Sequence, residues 1–571
     1  MSARTTLKFP HDPILVRLLI AAQQTSDSET IVHDALGFKK SYPELLTDIL
    51  QTRDLLRARL PLPATNEQGI LRGEFQYVAI LSRSGYEFLV AFFAIRAMGG
   101  VCMPLGSGVL PEEAHYFLSK AKANCMLAGK DSLERAENIC AYIQEQGNFD
   151  TLTLLPISCN AEPLRNIDIG IDDNLQLDPD GPGLLLFTSG TTGFPKGAVI
   201  PRRCFADPQA FEPGAAAISY NPSHWIGGAR SLIGPVLTSK KLYIVAQKAG
   251  RARAEAVLEA FRNHRITHAI FTPALLRHMK DILIDQSGNL SEDKKSRCSS
   301  YFKGLSAIRC SAGVVEFSTK EFWTDLTGLP FENFYSVTEL GGGVTRGISA
   351  IKGSIGTPLP GITIKLSEGN HGEIYVKSPK MLTHYIDDKK TTQAAFDEDG
   401  YFKTGDLGEL KDGEYIFAGR ANADYVLFGV FRISALVVES SLMDLPYISE
   451  ACVVAVPDND AKQLCGAVIR LERGTMPIGQ ITLARIRSDL QSSLAPFMLP
   501  ALLRILEDKE ELPRTVSGKP IKRQILMDFF GAVDGGLAEN IPPRVERYNK
   551  LMTVEAQAKP WDWCGLQRAT I

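Results

Sequence analysis

Short apolar runs alternate with longer segments of helical periodicity through roughly the first 350 residues, and the full 571 residues are too many for a single core. The runs Tyr77-Val78-Ala79-Ile80-Leu81, Leu184-Leu185-Leu186-Phe187, Leu242-Tyr243-Ile244-Val245 and Ala269-Ile270-Phe271 read as strands. Helices are predicted over 87–98, 112–122 and 254–264, where apolar residues recur at three- and four-residue steps. This alternation predicts an α/β fold with a largely parallel sheet.

The pattern changes after about residue 355, where Gly356-Thr357-Pro358-Leu359-Pro360-Gly361 precedes short alternating segments such as Gly372-Glu373-Ile374-Tyr375-Val376. Such segments suit antiparallel strands of a small β unit. A second change falls near Gly419-Arg420, beyond which a compact stretch runs through Ala451-Cys452-Val453-Val454-Ala455-Val456 to Arg523. Its length is that of a separate α+β domain. From Gly531 the chain turns rich in Pro, Gly and charge around Trp561 and Trp563, and reads as a tail that wraps on the body or stays partly disordered. The expected protein is therefore α/β. A large N-terminal domain, 1–418, has parallel sheets, packed helices and a small β unit; a small mobile α+β lid, 419–530, and a tail, 531–571, follow.

Composition narrows the function classes. With 44% hydrophobic and 22% charged residues, the chain is neither disordered nor fibrous. A net charge of −3 gives no general attraction to nucleic acid. The ten cysteines form no Cys-x-x-Cys pair, so neither a disulfide framework nor a zinc site is indicated. Arg17 interrupts the apolar Pro13-Ile14-Leu15-Val16, and Arg96 with Gly99-Gly100 interrupts 88–104, so no signal peptide or membrane span is expected. The terminal Ala569-Thr570-Ile571 is not a Ser-Lys-Leu address. A cytoplasmic location is the expectation.

The strand-like run at 184–187 feeds into Thr188-Ser189-Gly190-Thr191-Thr192-Gly193-Phe194-Pro195-Lys196-Gly197. Glycines let backbone N–H groups approach an anion, hydroxyls donate further hydrogen bonds, and Lys196 adds positive charge. The loop fails the Walker pattern, because Pro195 precedes the lysine and Gly197 follows it. A Ser/Thr/Gly-rich surface turn is the competing reading.

Taken whole, the string resembles the phosphate loop of the adenylate-forming superfamily, which includes acyl-CoA synthetases, peptide-synthetase adenylation domains and luciferases. Tyr335-Ser336-Val337-Thr338-Glu339 resembles its Tyr-Gly-x-Thr-Glu element, with Ser336 where glycine is usual. The resemblance implies that Tyr335 stacks on adenine, Thr338 bonds phosphate and Glu339 holds Mg²⁺, a cation suited to carboxylate oxygen. Ser311, Ala312 and Gly313 fall at the adenine shelf, although Arg309-Cys310 replaces the usual Ser-Gly. In Tyr401-Phe402-Lys403-Thr404-Gly405-Asp406-Leu407, Asp406 would accept from the ribose hydroxyls, and Arg420 would add a contact near the hinge. Leu512-Pro513-Arg514-Thr515-Val516-Ser517-Gly518-Lys519 resembles the C-terminal loop whose lysine is catalytic. His224-Trp225-Ile226-Gly227-Gly228 resembles the His-x-x-Gly segment lining the acyl pocket, where His224 would gate access; a core-facing aromatic cluster is the alternative.

The match extends from Ser41-Tyr42-Pro43-Glu44-Leu45 to Lys519. Gly419-Arg420-Ala421-Asn422-Ala423-Asp424 has one residue more between Arg and Asp than most members, and with Arg432-Ile433-Ser434-Ala435-Leu436 and Glu439 it resembles the malonyl-CoA synthetase branch. Leu427, Val430 and Val437 depart from that branch's lysine, glycine and glutamate, and Leu305 stands where an arginine would grip malonate. Arg309 and Arg230 are the candidate replacements. The resemblance implies an ATP- and Mg²⁺-dependent ligase that turns a small carboxylic acid into an acyl-adenylate and passes the acyl group to CoA. Two alternatives are a stand-alone enzyme loading a separate acyl or peptidyl carrier protein, and a non-catalytic nucleotide-binding homologue.

Overall fold

A computed structural model describes residues 6–548 except 148–151, 161, 163–167, 189–194, 207–208, 247, 249, 286–287, 314, 316, 349–350, 352, 421–424, 429–430, 459–460, 473–479, 508–509, 515–519 and 533–541. Its first sheet has seven strands. Pro182–Thr188, Val101–Pro104, Tyr77–Leu81, Cys125–Ala128 and Thr153–Pro156 run parallel, as the continuous apolar runs predicted. On its other edge Lys196–Pro201 returns antiparallel to Pro182–Thr188 and pairs in turn with His384–Tyr385.

Three predicted helices form at 86–97, 111–121 and 250–263. Tyr86–Ala97 is apolar nearly all round because every one of its residues is buried. Its Arg96 is matched inside the core by Asp12, 2.6 Å away, which also caps the helix Pro13–Gln23. Ser41 and Glu44 close a reciprocal capping box that starts the helix Tyr42–Arg59. By contrast, the run at 269–271 forms no strand and makes a single bridge, Phe271 to Cys310.

The second large sheet has eight strands in the order Ile308–Ser311, Phe331–Val337, Gly342–Gly347, Ser354–Pro358, Glu414–Arg420, Phe402–Lys411, His371–Lys377 and Thr363–Leu366. The antiparallel strands expected after residue 355 are present, and the pairing of Arg346 with Thr357 joins them to the strands that precede them. The C-terminal part has its own apolar core, in which Val426, Val438, Val453, Val468, Ile486 and Ile525 are fully buried. Val545–Arg547 from the tail adds an antiparallel strand beside Leu502–Ile505, and the Arg487 guanidinium lies 3.8 Å from the Tyr548 ring centre. Among the described residues, no helix is long and apolar enough to cross a membrane.

Pro182–Thr188 ends where residues 189–194 begin, and Phe331–Val337 leads into the turn Thr338–Leu340. Carboxyl ends of strands are where open α/β sheets gather ligands.

Candidate functional site

Thr188 and Lys196 are register partners at the open end of an antiparallel pair, and the Thr188 hydroxyl donates to the Lys196 carbonyl at 3.3 Å. Ser189, Gly190, Thr191, Thr192 and Gly193 lie outside the described residues. Gly197 is fixed by packing, since a Cβ there would come within 2.6 Å of the Ile386 side chain. The exposed Lys196 ammonium sits 5.8 Å from the Tyr385 ring centre. The Tyr385 hydroxyl in turn donates to Glu339 Oε1 at 3.1 Å. One chain of contacts thus runs from Lys196 to Glu339, just beyond the strand Phe331–Val337. Burial, and then the Glu339 charge, push the Tyr385 phenol far above its ordinary range, so it stays a hydrogen-bond donor.

A second network joins three further predicted residues. Tyr335 donates from its hydroxyl to Asp406 Oδ2 at 2.6 Å, and Arg420 Nε donates to Asp406 Oδ1 at 2.9 Å. Asp406 and Arg420 face each other across adjacent strands. Only 3% of Asp406 is exposed, so its orientation is locked while each oxygen keeps a lone pair for another donor. Burial followed by the Asp406 charge raises the Tyr335 phenol well above its usual value.

At the shelf, Ser311 Oγ and Ser336 Oγ are 2.9 Å apart. Ser336, the departure from glycine, therefore ties the two parallel strands together beside Tyr335. Ala312, with φ of 72°, and Gly313 turn the chain away from the sheet and are exposed.

His224 stands apart from both networks. Its ring packs edge-on against Trp225, with centroids 5.9 Å apart, and a Cβ on Gly106 would touch it at 3.4 Å. Gly228 lets the following helix start close by, because a Cβ there would collide with the Pro222 carbonyl oxygen. Burial lowers the His224 pKa to about 4, leaving a neutral imidazole at physiological pH. His278 is held at about 4 by burial and then by Arg277. Because both folded-state values lie below the usual 6.5, the unfolded chain binds more protons between those limits. Their contribution to stability is complete above pH 6.5 and is lost as pH falls toward 4. The melting temperature is therefore expected to drop between pH 7.5 and pH 5, and His224→Asn to shrink the drop; an unchanged melting temperature contradicts this.

Of the candidate replacements for a malonate-gripping arginine, Arg309 is held by Glu332 at 2.9 Å and Ser306 at 3.0 Å. Arg230 donates to the Gly341 and Cys204 carbonyls at 2.6 and 2.7 Å. Both guanidiniums are thus committed to the fold. Lys519 and residues 421–424, where a hinge is expected, lie outside the described residues; Arg514 and Pro520, which flank 515–519, are bridged. Tyr385 went unpredicted, since its only signal is an aromatic at the end of a short apolar segment.

Glu339 can hold a hard cation. One of its oxygens accepts from Tyr385, and the group is half-buried. Such a donor set suits Mg²⁺, which is usually bound by one or two carboxylates together with phosphate oxygens and water.

Comparisons with known proteins show which family the chain resembles along most of its length. Residues 21–386 match the AMP-binding enzyme family, and residues 437–519 match the AMP-binding enzyme C-terminal domain. The acyl-CoA ligase oryP of Aspergillus oryzae is 31% identical over 91% of this chain and 93% of its own. A malonate–CoA ligase of Arabidopsis thaliana is 27% identical over 78% and 77%. ATP-bound MatB of Rhodopseudomonas palustris superposes with a TM-score of 0.71 at 21% identity, covering 90% of this chain and 99% of that one. A family match across most of the N-terminal part, a second over the C-terminal part and a full-length ligase relative leave one assignment: the chain belongs to the AMP-binding enzymes.

Proposed function

We propose that this protein is an ATP-dependent carboxylate–CoA ligase that forms an acyl-adenylate with release of pyrophosphate and then transfers the acyl group to CoA. The observation that carries the reading is the pair of networks Lys196–Tyr385–Glu339, which joins the two large sheets, and Tyr335–Asp406–Arg420, which lies within the second. Asp406 accepts from the ribose, Tyr335 and the shelf Ser311, Ala312 and Gly313 flank the base, and the loop Thr188 to Lys196 with Thr338 holds the phosphates. Glu339 would hold Mg²⁺, which would neutralise charge on the phosphate oxygens. Lys519 stabilises the charge that develops as the carboxylate attacks the α-phosphorus. Neutral His224 lines the acyl entry.

In the same reading, 1–418 is the catalytic body, 419–530 a lid turning about 420–424, and 531–571 a tail. CoA is the acceptor; the similar proteins are CoA ligases, so loading of a carrier protein is not favoured. The location proposed is cytoplasmic, and import of a tagged chain into mitochondria, the location in the name of a mouse malonate–CoA ligase 24% identical to it, contradicts that. The reading is tested by incubating the protein with ATP, Mg²⁺ and a panel of monocarboxylic and dicarboxylic acids. Acyl-adenylate and pyrophosphate are the expected products, with AMP set free once CoA is added, and ADP with phosphate would refute it.

Tyr385→Phe removes the donor that orients Glu339. Losing one such hydrogen bond is expected to raise the Mg²⁺ concentration for half-maximal pyrophosphate release roughly fivefold. The KM for the acid stays unchanged. An unaltered Mg²⁺ titration detaches Tyr385 from this role.

A further inference from the structure

Glu450, on the strand Ile448–Asp458, is a carboxylate with a side chain only 3% exposed, and three arginines converge on it. Arg470, its register partner on the neighbouring strand, contributes Nε at 2.9 Å. Arg514, which begins the segment ending in Lys519, lies at 2.5 Å. The third comes from the N-terminal part: Arg277, 5% exposed, on the helix Pro273–Leu283, reaches Glu450 Oε1 at 3.1 Å. One helical turn on, Lys280 reaches Glu472 at 3.1 Å, so the same helix face grips the C-terminal domain twice. Burial alone would raise the Glu450 pKa, but Arg277, Arg514 and Arg470 outweigh it and hold the group down to about 2.

The helix starts at the nucleotide shelf, where a Cβ on Gly313 would lie 3.1 Å from the Pro273 ring. The grip therefore connects three things: the adenine shelf, the orientation of the C-terminal domain, and the base of the lysine segment. In this orientation Leu427 and Val437 are turned to solvent, 46% and 42% exposed. Undocking would require Arg277 and Glu450 to be rehydrated separately, whereas Arg470 and Arg514 travel with Glu450.

We propose that Arg277, acting through Glu450, is a positioning residue that holds the C-terminal domain in the orientation serving acyl-adenylate formation. The proposal rests on the ligase reading given above. Removing Arg277 leaves Glu450 with two arginines, so no buried carboxylate is orphaned and the domain keeps its fold. Arg277→Gln is expected to lower acid-dependent pyrophosphate exchange about tenfold while the conversion of supplied acyl-adenylate and CoA to thioester changes less than about twofold, with Arg277→Lys in between. An equal fall in both half-reactions, or no fall in either, overturns the proposal. Small-angle X-ray scattering of the full chain with ATP gives a readout independent of activity: Arg277→Gln is expected to be more extended than the unmodified protein, and identical profiles also overturn the latch. If the unmodified protein exchanges no pyrophosphate with any acid, the ligase reading fails, and the scattering comparison still decides the latch.

Discussion

Replacing Lys519 with alanine is expected to slow acid-dependent pyrophosphate release by about 10²–10³-fold while ATP binding changes by less than about threefold. Attack of a carboxylate on the α-phosphorus brings two anions together and expels a third, so an ammonium that arrives with the transition state lowers the barrier more than it tightens the ground state. The flanking residues favour such delivery. Arg514 is anchored on buried Glu450, and its bridge to Pro520 fixes the base of the segment carrying the lysine. Pyrophosphate release measured beside equilibrium ATP binding separates the two effects. Equal release by Lys519→Ala and the unmodified protein would remove Lys519 from the chemistry.

The second large effect is expected at Asp406. Asp406→Asn keeps the shape but takes the charge from beneath Arg420 and places an amide where Tyr335 and Arg420 both donate. The carboxylate is buried while Arg420 is 37% exposed, and neutralising Asp406 is expected to lower kcat/KM for ATP by about 10²-fold. The loss should appear mainly in the KM for ATP, with the KM for the acid little changed. Tyr335→Phe, which leaves the Asp406–Arg420 pair intact, is expected to lose only about fivefold. A KM for ATP unmoved by Asp406→Asn would mean that this carboxylate serves the fold alone.

Local patterns were legible in the sequence; pairings across the fold were not. The run Tyr77–Leu81 reads directly as a strand because a strand covered on both faces is apolar at every position. Helix 86–97 was equally clear, its caps aside. The run 269–271 misled for the same reason in reverse: it is apolar and has Phe271 buried, but Ile270 is half exposed and one bridge is all it makes. Nothing local announces that Ser336 would meet Ser311, because that contact depends on the register of two parallel strands twenty-five positions apart in sequence. Asp406 and Arg420 were each singled out by motif, and the strand register shows that they form a pair. Tyr385 and Glu450 escaped notice because their partners, Glu339 and Arg277, come from distant segments. Long-range side-chain convergence is what builds a site, and periodicity carries no record of it.

The proposed two-step chemistry uses one cleft, which activates an acid on ATP and then delivers it to CoA. Its most direct test is a single reaction containing the full chain, ATP, Mg²⁺, CoA and an acid panel, followed for pyrophosphate and, by mass spectrometry, for acyl-CoA. The prediction is acid-dependent pyrophosphate and acyl-CoA in equal amounts for at least one acid. Pyrophosphate release from no acid, or an acyl-adenylate that CoA never consumes, would contradict it.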